Sequence, residues 1–438
     1  MSKIHLISLG CAKNQVNAEQ MLYLLEQAGY ELTEDIGEAD AAVVNTCGFI
    51  ESAKKEAIDT ILTVAEYKKN GNLKALIVTG CLSERYKDEI LEAMPEVDAV
   101  CGTGSYDKVV EAVDSALKGK KASFFGDINA KEADCGRVLL NTPYSAYLKI
   151  AEGCDNRCHY CVIPSLRGSY RSRPMESLIK EAETLAQSGV KELMVVAQDI
   201  SRYGTDLYGE RRLHTLVDEL CKIDGIEWIR LHYLYPDEID DVLLETIRDQ
   251  KKVLKYFDIP IQHINDRVLK SMNRRGSGKL IRERIDKIRA MMPDAVIRTS
   301  LIVGFPGETE EEYEELKNFL EEYKLERAGV FAYSREEGSV AYDMPDQIDE
   351  DVKLKRQSEL FALQTDIMDM LSEKYIGKTY KVLCEGFDEE EQMCYGRTYM
   401  DSPDIDGIVY FEGDADEGDF VDVEINDAVG CILYGKVK

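Results

Sequence analysis

The chain has 438 residues, enough for about three domains with cores of their own. Its side chains are 44% apolar and 31% charged, and no run approaches the roughly 18 consecutive apolar residues of a membrane span, which excludes a membrane-embedded helical chain. The 83 acidic against 54 basic side chains leave a net charge of −29, which disfavours binding along a phosphate backbone and favours a basic partner. Residues 1–10 carry one lysine and a short apolar run broken by His5, too little for a secretory leader. The stretch Ser8-Leu9-Gly10-Cys11 likewise lacks the apolar segment that would precede a lipid-modified cysteine. Twelve cysteines without an export signal point to a reducing, cytoplasmic setting and to metal or redox use of thiols.

From residue 4 to about 121, short apolar strands at 4–9, 41–45, 75–79 and 98–100 are separated by amphipathic runs at 19–28, 53–67 and 83–93. Strand-helix alternation predicts a small parallel α/β sheet. Three of these strands run into a cysteine: Cys11 after Leu9-Gly10, Cys47 after Asn45-Thr46 and Cys81 after Thr79-Gly80. The carboxyl ends of parallel strands share one edge, so the three thiols are expected to converge on a metal although no local motif joins them. Cys101 also follows a strand but lacks the turn-then-helix context. It reads as a packing residue, as do the scattered Cys135, Cys221, Cys384, Cys394 and Cys431.

Residues 122–142 show weak periodicity around Gly126 and Gly136, with Pro143 just beyond, and read as a linker. A second series follows, with strands at 146–151, 193–197, 228–231, 256–259, 297–303 and 329–332 and helices at 177–188, 236–249, 265–272, 280–291 and 310–323. Six sequential units predict a partial parallel (β/α)6 barrel, short of the eight of a closed one. A helix at 349–373 ends that domain. Alternating strands at 378–384, 392–399, 407–411, 420–428 and 431–436, with Gly and Asp turns, predict a small all-β module. The expected domains are therefore 1–122, 140–372 and 373–438. Within 371–438, six basic side chains face seventeen acidic ones, a net of −11. The runs Glu389-Glu390-Glu391 and Asp414-Ala415-Asp416-Glu417 fall in loops and are either a solvated face or an attractor for a basic partner.

The loop Gly153-Cys154-Asp155-Asn156-Arg157-Cys158-His159-Tyr160-Cys161 places three thiols at i, i+4 and i+7 after the first barrel strand. Thiolates at this density repel one another unless a cation neutralises them, and they suit zinc or iron-sulfur. A structural zinc would need His159 as its fourth ligand, whereas an iron-sulfur cube leaves one iron open to a cosubstrate. The alternative place for His159 is an exposed imidazole on the loop. Gln198, Gln262, Arg298 and the backbone around Gly304 lie at or near successive strand ends, where a cosubstrate would be held, and the glycines of 301–308 would allow close approach. An electron carrier or a zinc-stapled binding protein would use cysteines too, but would not require a long barrel with polar strand ends.

Cys154-x-x-x-Cys158-x-x-Cys161, with Tyr160 before the last thiol, resembles the radical S-adenosylmethionine enzymes. With Cys11, Cys47 and Cys81 ahead of it and the β module behind, the whole chain resembles the methylthiotransferases of that superfamily, whose C-terminal module is a TRAM domain. Three stretches resemble the RimO-type branch, which modifies an aspartate of ribosomal protein S-twelve: Ile163-Pro164-Ser165-Leu166-Arg167-Gly168, Ala197-Gln198-Asp199-Ile200-Ser201 with Tyr203-Gly204, and Ser402-Pro403-Asp404-Ile405-Asp406-Gly407. Gly10-Cys11-Ala12-Lys13-Asn14 fits the shared N-terminal signature, with Asn17 where an acidic residue is common and Ser402 in place of the usual Ala.

The resemblance implies two 4Fe-4S clusters. One, on Cys154, Cys158 and Cys161, binds S-adenosylmethionine at its open iron and yields a 5′-deoxyadenosyl radical that removes hydrogen from the aspartate β-carbon. The other, on Cys11, Cys47 and Cys81, holds the transferred sulfur, and a further S-adenosylmethionine supplies the methyl group. The implied partners are ribosomal protein S-twelve, an electron donor and a sulfur donor, with no membrane and no nucleic acid as direct substrate. Within the same family, the alternative substrate is an adenosine in the tRNA anticodon loop, which the acidic tail disfavours.

Overall fold

The computed structural model describes residues 1–131, 134–140 and 142–438. Its first sheet contains β1 (Lys3–Ser8), β2 (Glu31–Leu32), β3 (Ala41–Thr46), β4 (Ala75–Gly80), β5 (Ala99–Cys101) and β6 (Ala122–Phe124). They are parallel and lie in the order β2-β1-β3-β4-β5-β6. β3 and β4 are buried along their whole length, which is why both read as unbroken apolar or small-residue runs. α1 (Ala12–Gln27) packs on one face of the sheet through Ala18, Met21 and Leu25, and α2 (Glu51–Asn70) on the other through Ala57, Ile61 and Val64. The single helix expected at 83–93 is two, α3 (Cys81–Tyr86) and α4 (Glu89–Ala93), because Lys87 between them takes a left-handed backbone at φ 49°. α5 (Val109–Leu117) joins α1 on its face.

The linker expected at 122–142 begins instead with an edge strand, β6, paired to β5. A three-residue strand is too short to show a period. Further on, the Val138 N–H donates to the Glu19 carbonyl at 3.1 Å, and Val138 and Leu140 join the core of the first sheet. Residues 132, 133 and 141 of the expected linker lie outside the described residues.

The second sheet contains β7 (Ser145–Lys149), and the short antiparallel pair β8 (Ala151–Glu152) and β9 (Arg171–Ser172) stands beside it. The sheet continues with β10 (Glu192–Val196), β11 (Trp228–Leu231), β12 (Val253–Asp258), β13 (Val296–Val303) and β14 (Arg327–Ala332). The order β14-β13-β12-β11-β10-β7, parallel at every pair, makes an open (β/α)6 partial barrel. Its core is one continuous apolar cluster from Ala146 to Ile367, closed by the helix Glu350–Ser372.

β15 (Thr379–Asp388), β16 (Met393–Arg397), β17 (Ile408–Glu412), β18 (Phe420–Val429) and β19 (Ile432–Val437) form a closed barrel in the order β15-β16-β17-β19-β18. This module seals the end of the half-barrel where the strands begin. Trp228, the first residue of β11, meets Phe420 edge-on at 4.8 Å. Glu192, the first residue of β10, receives Arg230 at 3.0 Å and Arg397 at 2.7 Å. Arg327 donates to Asp401 at 2.7 Å, Tyr256 to Asp406 at 2.6 Å, and Ser402 Oγ bonds with His232 Nε2 at 3.2 Å. The cysteine loop after β8 occupies the opposite end.

Candidate functional site

Each N-terminal cysteine follows a parallel strand and starts the next turn, which brings the three together. Cys11 is the N-cap of α1, Cys47 follows β3 directly, and Cys81 opens α3. The intervening glycines are required by closeness. A Cβ on Gly10 would stand 2.7 Å from Cys47 Cβ, and one on Gly48 would stand 2.9 Å from the Cys81 carbonyl carbon. Burial, reinforced by the charge of Cys81, pushes the Cys47 thiol up to about 12. Burial also raises Cys81, against the pull of the Arg167 charge. For Cys11, burial is outweighed by Lys13 and Arg167, and the thiol lies below its ordinary value. Cys101 differs, as expected: it is fully buried in the sheet core among Ala99, Ile77 and Val113.

The second triad sits on one loop. The loop turns at Gly153, which has φ +75° and a Cβ position that would run into the Ser169 carbonyl. Burial pushes Cys154 up to about 11, and burial followed by the charge of Cys158 raises Cys161 well beyond its usual range. Arg274 donates to Cys158 Sγ at 3.7 Å and to the Pro260 carbonyl, and it lies 4.2 Å above the Tyr235 ring. The Tyr235 hydroxyl is itself 3.8 Å from Cys158 Sγ. His159 is half-buried rather than an exposed imidazole on the loop. Its Nδ1 donates to the Ser271 carbonyl at 2.8 Å, and its backbone bonds to Met272 and Ala341.

In both sets the neighbouring thiols raise one another, so the deprotonated sets fit a cationic metal centre. Among the described residues, no three His, Cys, Asp or Glu side chains stand close enough to hold a single ion. A four-iron cube gives each thiolate its own iron and asks for a wider spacing than one tetrahedral zinc does.

The first triad lies against the turn that follows the second. Cys81 packs against Val162 and Leu166, the residues that follow Cys161, with Phe49 beside them. This contact is made by α3 and by α6 (Ile163–Arg167), whose first amide donates to Cys161 Sγ at 3.4 Å. At the far end of α6, Arg167 is fully buried. It donates to Glu152 at 2.8 Å, to Asn14 at 3.1 Å and to Asn17 at 3.2 Å. The loop after β14 adds a second tie through Glu336, which meets Arg85 at 3.0 Å and Lys54 at 3.2 Å.

Of the four groups expected to hold a cosubstrate, two have suitable surroundings. The Gln198 side-chain nitrogen is buried with no hydrogen-bond partner among the described residues, and it can donate to a ligand oxygen or nitrogen. Gln262 is held in a left-handed backbone at φ 70°, its N–H donating to Ser300 at 2.9 Å and its carbonyl accepting from Ile302 at 2.8 Å. Arg298 is engaged elsewhere, donating to Asp258 at 2.8 Å and standing 3.5 Å from Asp406 of the C-terminal module. The Gly304 amide is taken by Glu308 at 2.9 Å, and its φ of +74° with Lys353 packed against it explains the glycine structurally. Sequence reasoning assigned no role to Lys13, Arg167, Tyr235 or Arg274. Lys13 and Arg167 stand inside stretches quoted for the family likeness, which was the only available signal.

Three family models match in order: "Uncharacterized protein family UPF0004" over residues 3–102, "Radical SAM superfamily" over 148–320 and "TRAM domain" over 376–437. The chain is 50% identical to the ribosomal protein uS12 methylthiotransferase RimO of Lachnoclostridium phytofermentans, over 100% of both chains. It is also 50% identical to the protein of that name from Clostridioides difficile, over 100% of this chain and 99% of the relative. Among solved structures it is similar to the radical S-adenosylmethionine methyltransferase TsrM from Kitasatospora setae. That likeness has a TM-score of 0.56 over 75% of this chain and 73% of the other at 12% identity, and it speaks to the fold alone.

Proposed function

This chain belongs to the RimO family of ribosomal protein uS12 methylthiotransferases, and on that premise we propose how its residues divide the work. It is a radical S-adenosylmethionine enzyme that adds a methylthio group to the β-carbon of an aspartate of uS12. The curated relatives carry the uS12 name, so transfer to a tRNA adenosine is not favoured. When bound, two 4Fe-4S clusters and S-adenosylmethionine supply the radical, the sulfur and the methyl group.

Cys154, Cys158 and Cys161 hold the cluster that takes S-adenosylmethionine, with Arg274 and Tyr235 covering the Cys158 sulfur. Cys11, Cys47 and Cys81 hold the second cluster. Gln198 and Gln262 orient the cosubstrate at the strand ends. An external one-electron donor and a sulfur donor complete the reaction. The division of the chain at 1–122, 140–372 and 373–438 follows these tasks. The observation that carries this reading is the contact of Cys81, in the first thiol set, with Val162 and Leu166, which follow the second set, across α3 and α6, since radical generation and sulfur delivery must act on one carbon.

Glu389, Glu390, Glu391, Asp414, Asp416 and Glu417 are exposed on the C-terminal barrel and supply a negative field for a basic protein substrate. No helix among the described residues is long and apolar enough to cross a membrane, and we place the reaction in the cytoplasm, where uS12 is met free or on the ribosome. Mass spectrometry of uS12 after incubation with reconstituted enzyme, reductant and S-adenosylmethionine tests the function. A methylthio gain on an aspartate is expected, and a gain on tRNA with none on uS12 would overturn it.

A further inference from the structure

The loop that follows β14, from Tyr333 to Met344, touches both cysteine sites. Toward the barrel site, the Ala341 N–H donates at 2.8 Å to the carbonyl of His159, which lies between Cys158 and Cys161, and Tyr160 packs against the apolar cluster that contains Tyr333 and Ala341. Toward the N-terminal site, Glu336 is 1% exposed and meets Arg85 and Lys54 through one carboxylate oxygen, while Ser334 Oγ donates to the other at 2.7 Å. Arg85 stands on α3, four residues after Cys81. Its guanidinium also donates to the Glu337 carbonyl at 2.7 Å and to the carbonyl of Gly48, next to Cys47, at 2.8 Å. Bonds within the loop stiffen it: Arg335 donates to the Tyr342 carbonyl at 2.8 Å, and Gln347 donates to the Ala341 carbonyl at 2.9 Å. Charge-assisted bonds in a buried setting are strong and directional, so this tie fixes position as well as contact.

We infer that Glu336 is a positioning residue that, through this loop, fixes the N-terminal thiol set against the Cys154 loop, so that sulfur transfer keeps pace with radical generation. The inference rests on the proposed function, in which the two thiol sets serve one carbon. β7 and β14 are the two edge strands of the half-barrel. On the β7 side, α6 joins the modules through Arg167 and the packing of Leu166 on Cys81. On the β14 side, Glu336 and Glu337 join them through Arg85. Held from both edges, the first module has no axis to turn about. With the β14 tie released it can swing on α6 while each thiol set stays whole. A bond-forming step needs its atoms about 3–3.5 Å apart, which a swinging module does not maintain.

The test counts two products of the reconstituted enzyme acting on uS12 with reductant and S-adenosylmethionine. 5′-Deoxyadenosine counts the radicals made, and methylthiolated uS12 counts those met by sulfur. Glu336→Ala is expected to keep the parent's iron content and its 5′-deoxyadenosine output. Its methylthiolated uS12 per 5′-deoxyadenosine should fall at least roughly tenfold, since a misplacement of about 1 Å costs on the order of 100-fold. Glu336→Asp, which keeps the charge, should recover part of that ratio. Glu192→Gln alters a buried carboxylate at the other end of the barrel and should leave the ratio at the parent value. Hydrogen–deuterium exchange of the full chain gives a readout without turnover: in Glu336→Ala the amides of α3 and of 333–344 should both exchange faster, and in Glu192→Gln neither should. An unchanged ratio in Glu336→Ala would overturn the inference, as would an equal fall in Glu192→Gln or faster exchange in the loop with α3 unchanged. Loss of iron from Glu336→Ala would overturn it too, as the mark of a merely structural role. A parent that makes 5′-deoxyadenosine but no methylthiolated uS12 counts against the function itself, and exchange then still decides whether Glu336 ties the two modules.

Discussion

Glu192→Gln keeps the shape of a fully buried side chain and removes the charge on which Arg230 and Arg397 converge. Burial alone would raise the Glu192 carboxyl, but Arg397 and then Arg230 outweigh it and hold it at about 2 against an ordinary 4.5. Because the folded value is depressed, the stabilisation is fully present above pH 4.5 and is lost as pH falls toward 2. At about 1.4 kcal/mol for each tenfold in proton affinity, the two values differ by about 3 kcal/mol. That matches the roughly 3–5 kcal/mol expected when one partner of a buried ion pair is removed. Trp228 is the only tryptophan and packs on Phe420 across the same interface, so its emission during urea unfolding reports the docking of the C-terminal barrel. The variant should lose about 3 kcal/mol at neutral pH, and the gap to the parent should close toward pH 2. A neutral-pH loss below about 1 kcal/mol, or a gap that does not change with pH, would refute the assignment of this carboxylate as the charged centre of the interface.

Gly153→Ala forces a side chain into a left-handed backbone and against the Ser169 carbonyl, a strain of about 1–3 kcal/mol at the root of the cysteine loop. Iron bound by the barrel triad should fall while the N-terminal triad keeps its share, as metal analysis of single-triad chains would show. Gln198→Ala should weaken S-adenosylmethionine binding by about 0.5–1.5 kcal/mol, roughly two- to tenfold, because one neutral hydrogen bond is lost. Equilibrium binding measures this, and an unchanged affinity removes Gln198 from the cosubstrate site.

Much of this arrangement was legible because it follows from strand geometry. Parallel strands ending in Cys11, Cys47 and Cys81 had to share an edge, and a loop after the first barrel strand had to open at the carboxyl end. What sequence position left open were partnerships between modules. Arg298 lies near a strand end, yet Asp258 and Asp406 claim its guanidinium, and Asp406 belongs to the C-terminal module. The net of −11 over 371–438 counts every acidic side chain alike, but Asp401 and Asp406 face inward to Arg327, Arg298 and Tyr256, while Glu389, Glu390 and Glu391 stand outside in their loop. Composition counts charges without saying which are already paired. Lys13 and Arg167 were legible as members of quoted stretches, but their roles depend on a contact between α1 and α6 that no local pattern encodes.

The dependence of the first module on Arg167 has a consequence for biogenesis. Domains form as units from the N-terminus while the ribosome is still translating. The first sheet has all its strands by Phe124, yet its cysteine edge lacks the guanidinium that donates to Asn14 and Asn17 of α1 until residue 167 has emerged and α6 has docked. A nascent chain halted between those two points would display three clustered thiols with Lys13 but without Arg167. Maturation of that edge is therefore a late event in the life of an early-folding module.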